Sequence, residues 1–135
     1  MKVQQRVWRT GVIALAAAAC GLAMTPVEAD TGKLGGSWSG SGTVNLSNGK
    51  VEKARCRATF KGSGPRYSMN AVCATAAARA VQTAQVTQSG PNSWSGEFHN
   101  QEYNVSGSIR LVLQGGTLRA SLNGAGASAH VTMSR

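Results

Sequence analysis

Acidic side chains are scarce in this chain. Asp30 is its one aspartate, and Glu28, Glu52, Glu97 and Glu102 complete the acidic set against 14 Lys and Arg. That shortage removes most hydrolytic chemistry. A Ser-His-Asp arrangement would have to take its orienting acid from Asp30, ahead of the first strand. Glu52 and Glu97 fall on opposite sides of a strand wall by alternation, where they cannot share a substrate. Histidine is equally sparse: His99 and His130 stand on different segments, and no His-x-x-x-His or Cys-x-x-Cys spacing occurs. Neither a catalytic centre nor a metal or other cofactor site is expected from such an inventory. Aromatics make up 5% of the chain and are not interleaved with the basic residues, which argues against a nucleic-acid partner. Beyond Met24 there is no long apolar run, so no membrane-spanning helix is expected, and no sustained helical periodicity either.

What is present begins with a leader. Lys2, Arg6 and Arg9 precede the apolar run from Gly11 to Met24, and Val27-Glu28-Ala29 supplies small residues for cleavage. This is the pattern of a secretory signal peptide over residues 1–29, leaving residues 30–135 as one domain, periplasmic or secreted. Cys20, after Ala17-Ala18-Ala19, offers a less favoured lipoprotein site, because the usual Leu three residues earlier is missing. The leader removes Lys2, Arg6, Arg9 and Glu28, so the net charge of +9 falls to about +7. A surface of that sign favours anionic envelope lipid or an acidic protein as partner. Two cysteines remain, Cys56 and Cys73, in a compartment where disulfides persist, and they are expected to form one bridge.

Period-two alternation runs from end to end of the remaining chain and predicts eight short strands. Trp38, Gly40, Gly42, Val44 and Leu46 share one face of the first; Ala54, Cys56, Ala58 and Phe60 share one face of the second. Tyr67, Met69, Ala71 and Cys73 follow, then a weaker strand at about 78–87, then Trp94, Gly96 and Phe98. The last three strands carry Tyr103 to Leu113, Leu118 to Leu122, and Ala127 to Met133. A three-residue loop Ser47-Asn48-Gly49, with Gly49 left-handed, sets Gly42 against Ala54 and Gly40 against Cys56. In the next hairpin Phe60 then faces Met69, Ala58 faces Ala71, and Cys56 faces Cys73, so register and bridge support each other.

Eight strands joined by tight turns predict an all-β, antiparallel up-and-down barrel, round or flattened, with one cross-strand disulfide. A transmembrane barrel is the competing solution. It is disfavoured because the sequence ends Met133-Ser134-Arg135 rather than on an aromatic residue, and because the apolar face is rich in Ala and Gly.

Gly36-Ser37-Trp38 resembles the Gly-x-Trp signature of calycins, the superfamily of lipocalins, fatty-acid-binding proteins and avidins. Trp94-Ser95-Gly96-Glu97-Phe98 is similar to a central avidin-type strand. Most of the chain after the leader also resembles a group of uncharacterised exported proteins of rhizobia-related bacteria. The calycin resemblance implies a meandering barrel that holds a small ligand. It also implies an arginine from the last strand over Trp38; Arg119, on the penultimate strand and directed outward, does not supply it.

The function expected is therefore that of an exported, non-enzymatic binding protein holding a small apolar or amphiphilic ligand. Many small inward residues, among them Ala54, Ala127, Ala129, Gly40, Gly42, Gly96 and Gly107, require either a pocket or collapsed walls. The pocket version is lined by Tyr67, Met69, Trp94, Phe98 and Tyr103, with Trp38 a core plug at one barrel end. Lys53, Arg55 and Arg57 form an outward basic stripe, a candidate anion-binding face that Arg66 and Arg79 would extend. The alternative function is a periplasmic protein-binding module, a protease inhibitor or envelope accessory protein, acting through that face.

Overall fold

Alternating side chains and glycine-rich turns give eight antiparallel strands in a computed structural model that describes residues 33–135. The signal segment expected at 1–29, with Cys20, and Asp30 lie outside the described residues. The strands are β1 (Gly36–Asn45), β2 (Val51–Ser63), β3 (Arg66–Ala74), β4 (Arg79–Gly90), β5 (Ser93–Asn100), β6 (Val105–Gln114), β7 (Thr117–Gly124) and β8 (Ala127–Ser134). Each pairs with the next in sequence, and β8 returns to β1, so the sheet is a closed up-and-down barrel without a free edge.

Turn chemistry sets the register as expected. Leu46 N–H donates to Lys50 O at 2.8 Å, leaving Ser47-Asn48-Gly49 at the tip with Gly49 at φ 90°. Gly42 therefore faces Ala54, and Gly40 faces Cys56. Across β2–β3 the pairs Phe60–Met69, Ala58–Ala71 and Cys56–Cys73 all form. The disulfide closes between Cys56 and Cys73, whose Cα atoms are 4.1 Å apart, the close spacing of a non-hydrogen-bonded pair. At the β7–β8 turn both central residues, Ala125 and Gly126, take positive φ, the requirement of the two-residue hairpin that matches strand twist.

Closure depends on glycine. A Cβ on Gly40 would lie 1.9 Å from Thr132 O, and one on Gly42 1.8 Å from His130 O, both on β8. These two glycines do not open the interior, as their inward alternation suggested. They let the β8 backbone fold tightly against β1, the sharp bend by which small barrels close.

The interior divides into two halves along the axis. At the β1 N-terminal end the large side chains Trp38, Phe60, Trp94, Leu111 and Leu118 are all 2% exposed or less. Leu34, ahead of β1, is fully buried and plugs this end. Trp38 Nε1 donates to Leu34 O at 2.9 Å, which fixes the plug and satisfies the indole. Arg135 lies over the Trp38 ring at 4.2 Å and donates to Gly35 O at 2.6 Å and to Lys33 O. The arginine that Arg119 does not provide thus comes from Arg135, immediately after β8. Lys33 Nζ donates to Pro91 O and Asn92 Oδ1, tying the lead-in segment to the β4–β5 turn. The outer wall presents Ser39, Arg57, Asn70, Gln85, Arg110 and Thr132 at outward positions, unlike the apolar band of a lipid-facing barrel. No helix among the described residues is long and apolar enough to cross a membrane.

Two outcomes follow from this packing. Alkylation of denatured, unreduced protein cleaved after Ala29 will find no free thiol, and Cys56→Ala with Cys73→Ala will lower unfolding stability by about 3 kcal/mol, since the bridge closes a loop of separation 17. Arg135→Ala will cost about 1–2 kcal/mol in chemical denaturation, from the lost ring contact and carbonyl bonds, and Arg135→Lys will restore less than half, lacking the planar fork.

Candidate functional site

At the opposite end the inward side chains shrink, and the barrel opens into a cavity of about 470 Å³. Every strand contributes to its wall: Val44, Ala54, Cys73, Ala80, Phe98, Val105, Leu122 and Ala129 stand on β1 to β8 in turn. The volume falls in the range of small-molecule sites, and the wall is mostly apolar, with Ser47, Glu52, Thr75, Gln82, Asn100 and Ser128 among its polar members. Ala54, Ala127 and Ala129 do what small inward residues were expected to do: where the barrel carries alanine in place of Phe or Leu, space remains.

The rim loops are held rather than loose. Thr75 Oγ1 accepts from Ala77 N–H and Ala78 N–H at 3.2 Å each, fixing the β3–β4 turn. Glu102 Oε1 accepts from Val81 N–H at 2.9 Å, pinning the β5–β6 loop to β4. Asn100 Oδ1 accepts from Tyr103 N–H at 3.1 Å in the same loop.

The five residues expected around a ligand separate. Phe98 and Tyr103 line the cavity. Tyr103, expected at the start of a strand and pointing inward, instead sits in the β5–β6 turn, 58% exposed at the rim. The cause is local: the Asn100 side-chain Oδ1 accepts from Tyr103 N–H, and Asn104 takes φ 54°, so the chain turns where strand alternation predicts an extended segment. Tyr67, Met69 and Trp94 are buried in the packed half and do not line the cavity. The Tyr67 and Trp94 rings meet at 6.4 Å and 82°, an edge-on pair that fills the interior. Trp94 Nε1 is buried there without a hydrogen-bond partner among the described residues. Glu52, Ala80, Gln82 and Leu122 join the lining beyond the five expected residues. The inward parity of Glu52 was legible, but alternation alone did not say which half of the barrel was open.

On the outer wall, Arg55, Arg57 and Arg79 rise around Ser39, Ser41, Val72 and Ala74 to form a groove of about 650 Å³. The register builds it: Ser41, Arg55, Ala74 and Arg79 pair in one row across β1 to β4, and Ser39, Arg57 and Val72 in the next. Small side chains between arginines make the hollow. Lys53, part of the expected stripe, points outward one row away opposite Thr43 and does not line the groove. Arg66 sits at the far end of β3 opposite Ser63 and does not extend it. His99 and His130 also lie on the outer wall, hydrogen-bonded to Ser106 and Ser121 respectively.

No family model matches the chain, and no curated protein matches it at a significant level. Among solved structures it is similar to designed barrels. A redesigned β-barrel, mFAP1, bound to DFHBI superposes with a TM-score of 0.64 at 12% identity, covering 76% of this chain and 94% of that one. A de novo designed fluorescence-activating β-barrel gives 0.59 at 11% identity, covering 82% of this chain and 99% of the other. At such identities the likeness concerns the barrel fold.

Proposed function

We propose that this is an exported, non-enzymatic binding protein that takes a small apolar or amphiphilic molecule into the open half of its barrel. The observation that carries the reading is the cavity of about 470 Å³, walled by every strand and mostly apolar, above a packed floor. Its apolar wall, open at the rim, is surface that an apolar occupant would remove from water, which favours binding. The redesigned barrel mFAP1, of the same fold, is described as bound to DFHBI, which makes the architecture a suitable container. Export is supported by the leader pattern of residues 1–29 and by the Cys56–Cys73 bridge, which suits an oxidising compartment. Against catalysis stands the placement of both histidines on the outer wall, each engaged with a serine. The reading is tested with N-phenyl-1-naphthylamine, an uncharged probe that fluoresces in apolar sites. The protein will enhance its emission with saturable, one-site binding, and Ala129→Phe, which projects a ring into the cavity, will weaken that binding at least about tenfold while the protein remains folded. Unchanged binding in Ala129→Phe, in a variant with the native thermal transition, would place the probe elsewhere and defeat the assignment.

The groove of Arg55, Arg57 and Arg79 supports a second role for the outer wall, attraction to anionic envelope lipid or to an acidic partner. Exposed charges are screened over about 8 Å at physiological ionic strength, so this attraction will fall steeply with salt. Sedimentation with phosphatidylglycerol vesicles will show binding at low salt that is lost in the combined Arg55→Gln, Arg57→Gln, Arg79→Gln variant. Equal sedimentation of variant and parent would reduce the groove to a solvated face.

A further inference from the structure

The charges of this protein are distributed unevenly between wall and cavity. Lys and Arg outnumber Asp and Glu in the sequence, yet among the described residues none lines the cavity; the one charged side chain they place in its wall is Glu52, one of few carboxylates the chain has. Glu52 sits near the start of β2, pairs with inward-facing Val44, and alternates with inward-facing Ala54, so its position in the lining follows from strand parity. It is half-buried. Its neighbour at the rim, Glu102, is committed to Val81 N–H, whereas no side-chain hydrogen bond among the described residues engages Glu52.

We propose, resting on the cavity reading above, that Glu52 makes the site selective for amphiphiles whose polar end is a cation, an alkylammonium or guanidinium. The apolar tail would lie against Ala54, Phe98, Leu122 and Ala129, and the cation would reach Glu52 at the mouth. An anionic head group in the same pose meets Glu52 with no lysine or arginine in the wall to offset it, and like charges brought together without a counter-charge weaken binding. The overall positive charge acts against a cation at long range. It is screened within about 8 Å of each exposed group, while a contact partly removed from water is screened much less, so the local carboxylate decides the preference.

Three ten-carbon competitors that differ only at the head separate the possibilities: decylammonium, decanol and decanoate, each displacing N-phenyl-1-naphthylamine from the intact protein at neutral pH. Decylammonium is expected to displace at about tenfold lower concentration than decanoate, with decanol between, the scale of one charge-assisted contact at a half-buried site. Glu52→Gln is expected to collapse the three onto one value near that of decanol, while Glu97→Gln, on the outer wall, keeps the order. If decanol displaces the probe but decylammonium has no advantage over decanoate in the parent protein, the charge selectivity is wrong and the cavity reading stands. The parent order alone decides that, whatever the variant does. An advantage that survives Glu52→Gln also overturns the role given to this residue. If none of the three displaces a bound probe, both the selectivity and the cavity reading fail.

Discussion

The pairing of β8 with β1 is the constraint on which the rest of the structure depends. Closure removes the free edges and gives every inward side chain a fixed height along one axis. Closure at this diameter is sterically demanding: the β8 carbonyls of His130 and Thr132 occupy the space where side chains of Gly42 and Gly40 would be. Arg135, directly after β8, then reaches the Trp38 ring and the carbonyls of Lys33 and Gly35, fastening the returning strand to the lead-in segment. A strand that pairs only with its predecessor would leave this end of the core open. Here backbone ladder and terminal clamp act at the same place.

Given a closed wall, side-chain size along each strand decides what is solid and what is hollow. On β1, Trp38 lies in the packed end and Val44 in the cavity; on β2, Phe60 and Ala54; on β5, Trp94 and Phe98. Eight strands enclose about enough room for ordinary side chains, so Trp38, Phe60 and Trp94 at one end make a floor and alanines at the other leave a cup. The disulfide lies between the regimes. Cys56 is buried in the core cluster, while Cys73 packs against it and reaches the cavity wall, so the bridge ties β2 to β3 near the level where packing gives way to space.

Strand number, the β1–β2 and β2–β3 registers and the bridge were legible because period-two alternation and turn glycines act locally and leave little freedom once one face is buried. The site was legible only in part, for reasons that are not local. Tyr67 and Phe98 look alike in sequence, both inward aromatics on short strands, yet one lies in the floor and the other in the wall. Which end of a strand is open depends on the heights of residues across all eight neighbours. Inward parity alone makes Gly40 and Gly42 look like missing volume; the volume is occupied by another strand's backbone, which no single-strand pattern reveals. The position of Arg135 over Trp38 is not legible in alternation, because it follows the last alternating residue and its role depends on the lead-in segment folding back beneath Trp38.

The same alternation that sorts apolar from polar also segregates charge, and this gives the barrel two chemically distinct surfaces. Arg55 and Arg57 occupy outward positions of β2 while Glu52, Ala54 and Cys56 occupy inward ones, so a single strand presents cations outside and a carboxylate at the cavity mouth. The cavity wall and the outer groove both draw on β2, and the Cys56–Cys73 bridge fixes β2 to β3 between them. An occupant of the cup and an anion in the groove would therefore stand on opposite sides of one covalently braced hairpin. Their interactions are electrostatically opposite, so a ligand suited to one surface is poorly suited to the other. A wall only one strand thick can carry both because the side-chain direction reverses at every residue, and because closure of the sheet keeps that reversal in register all the way round.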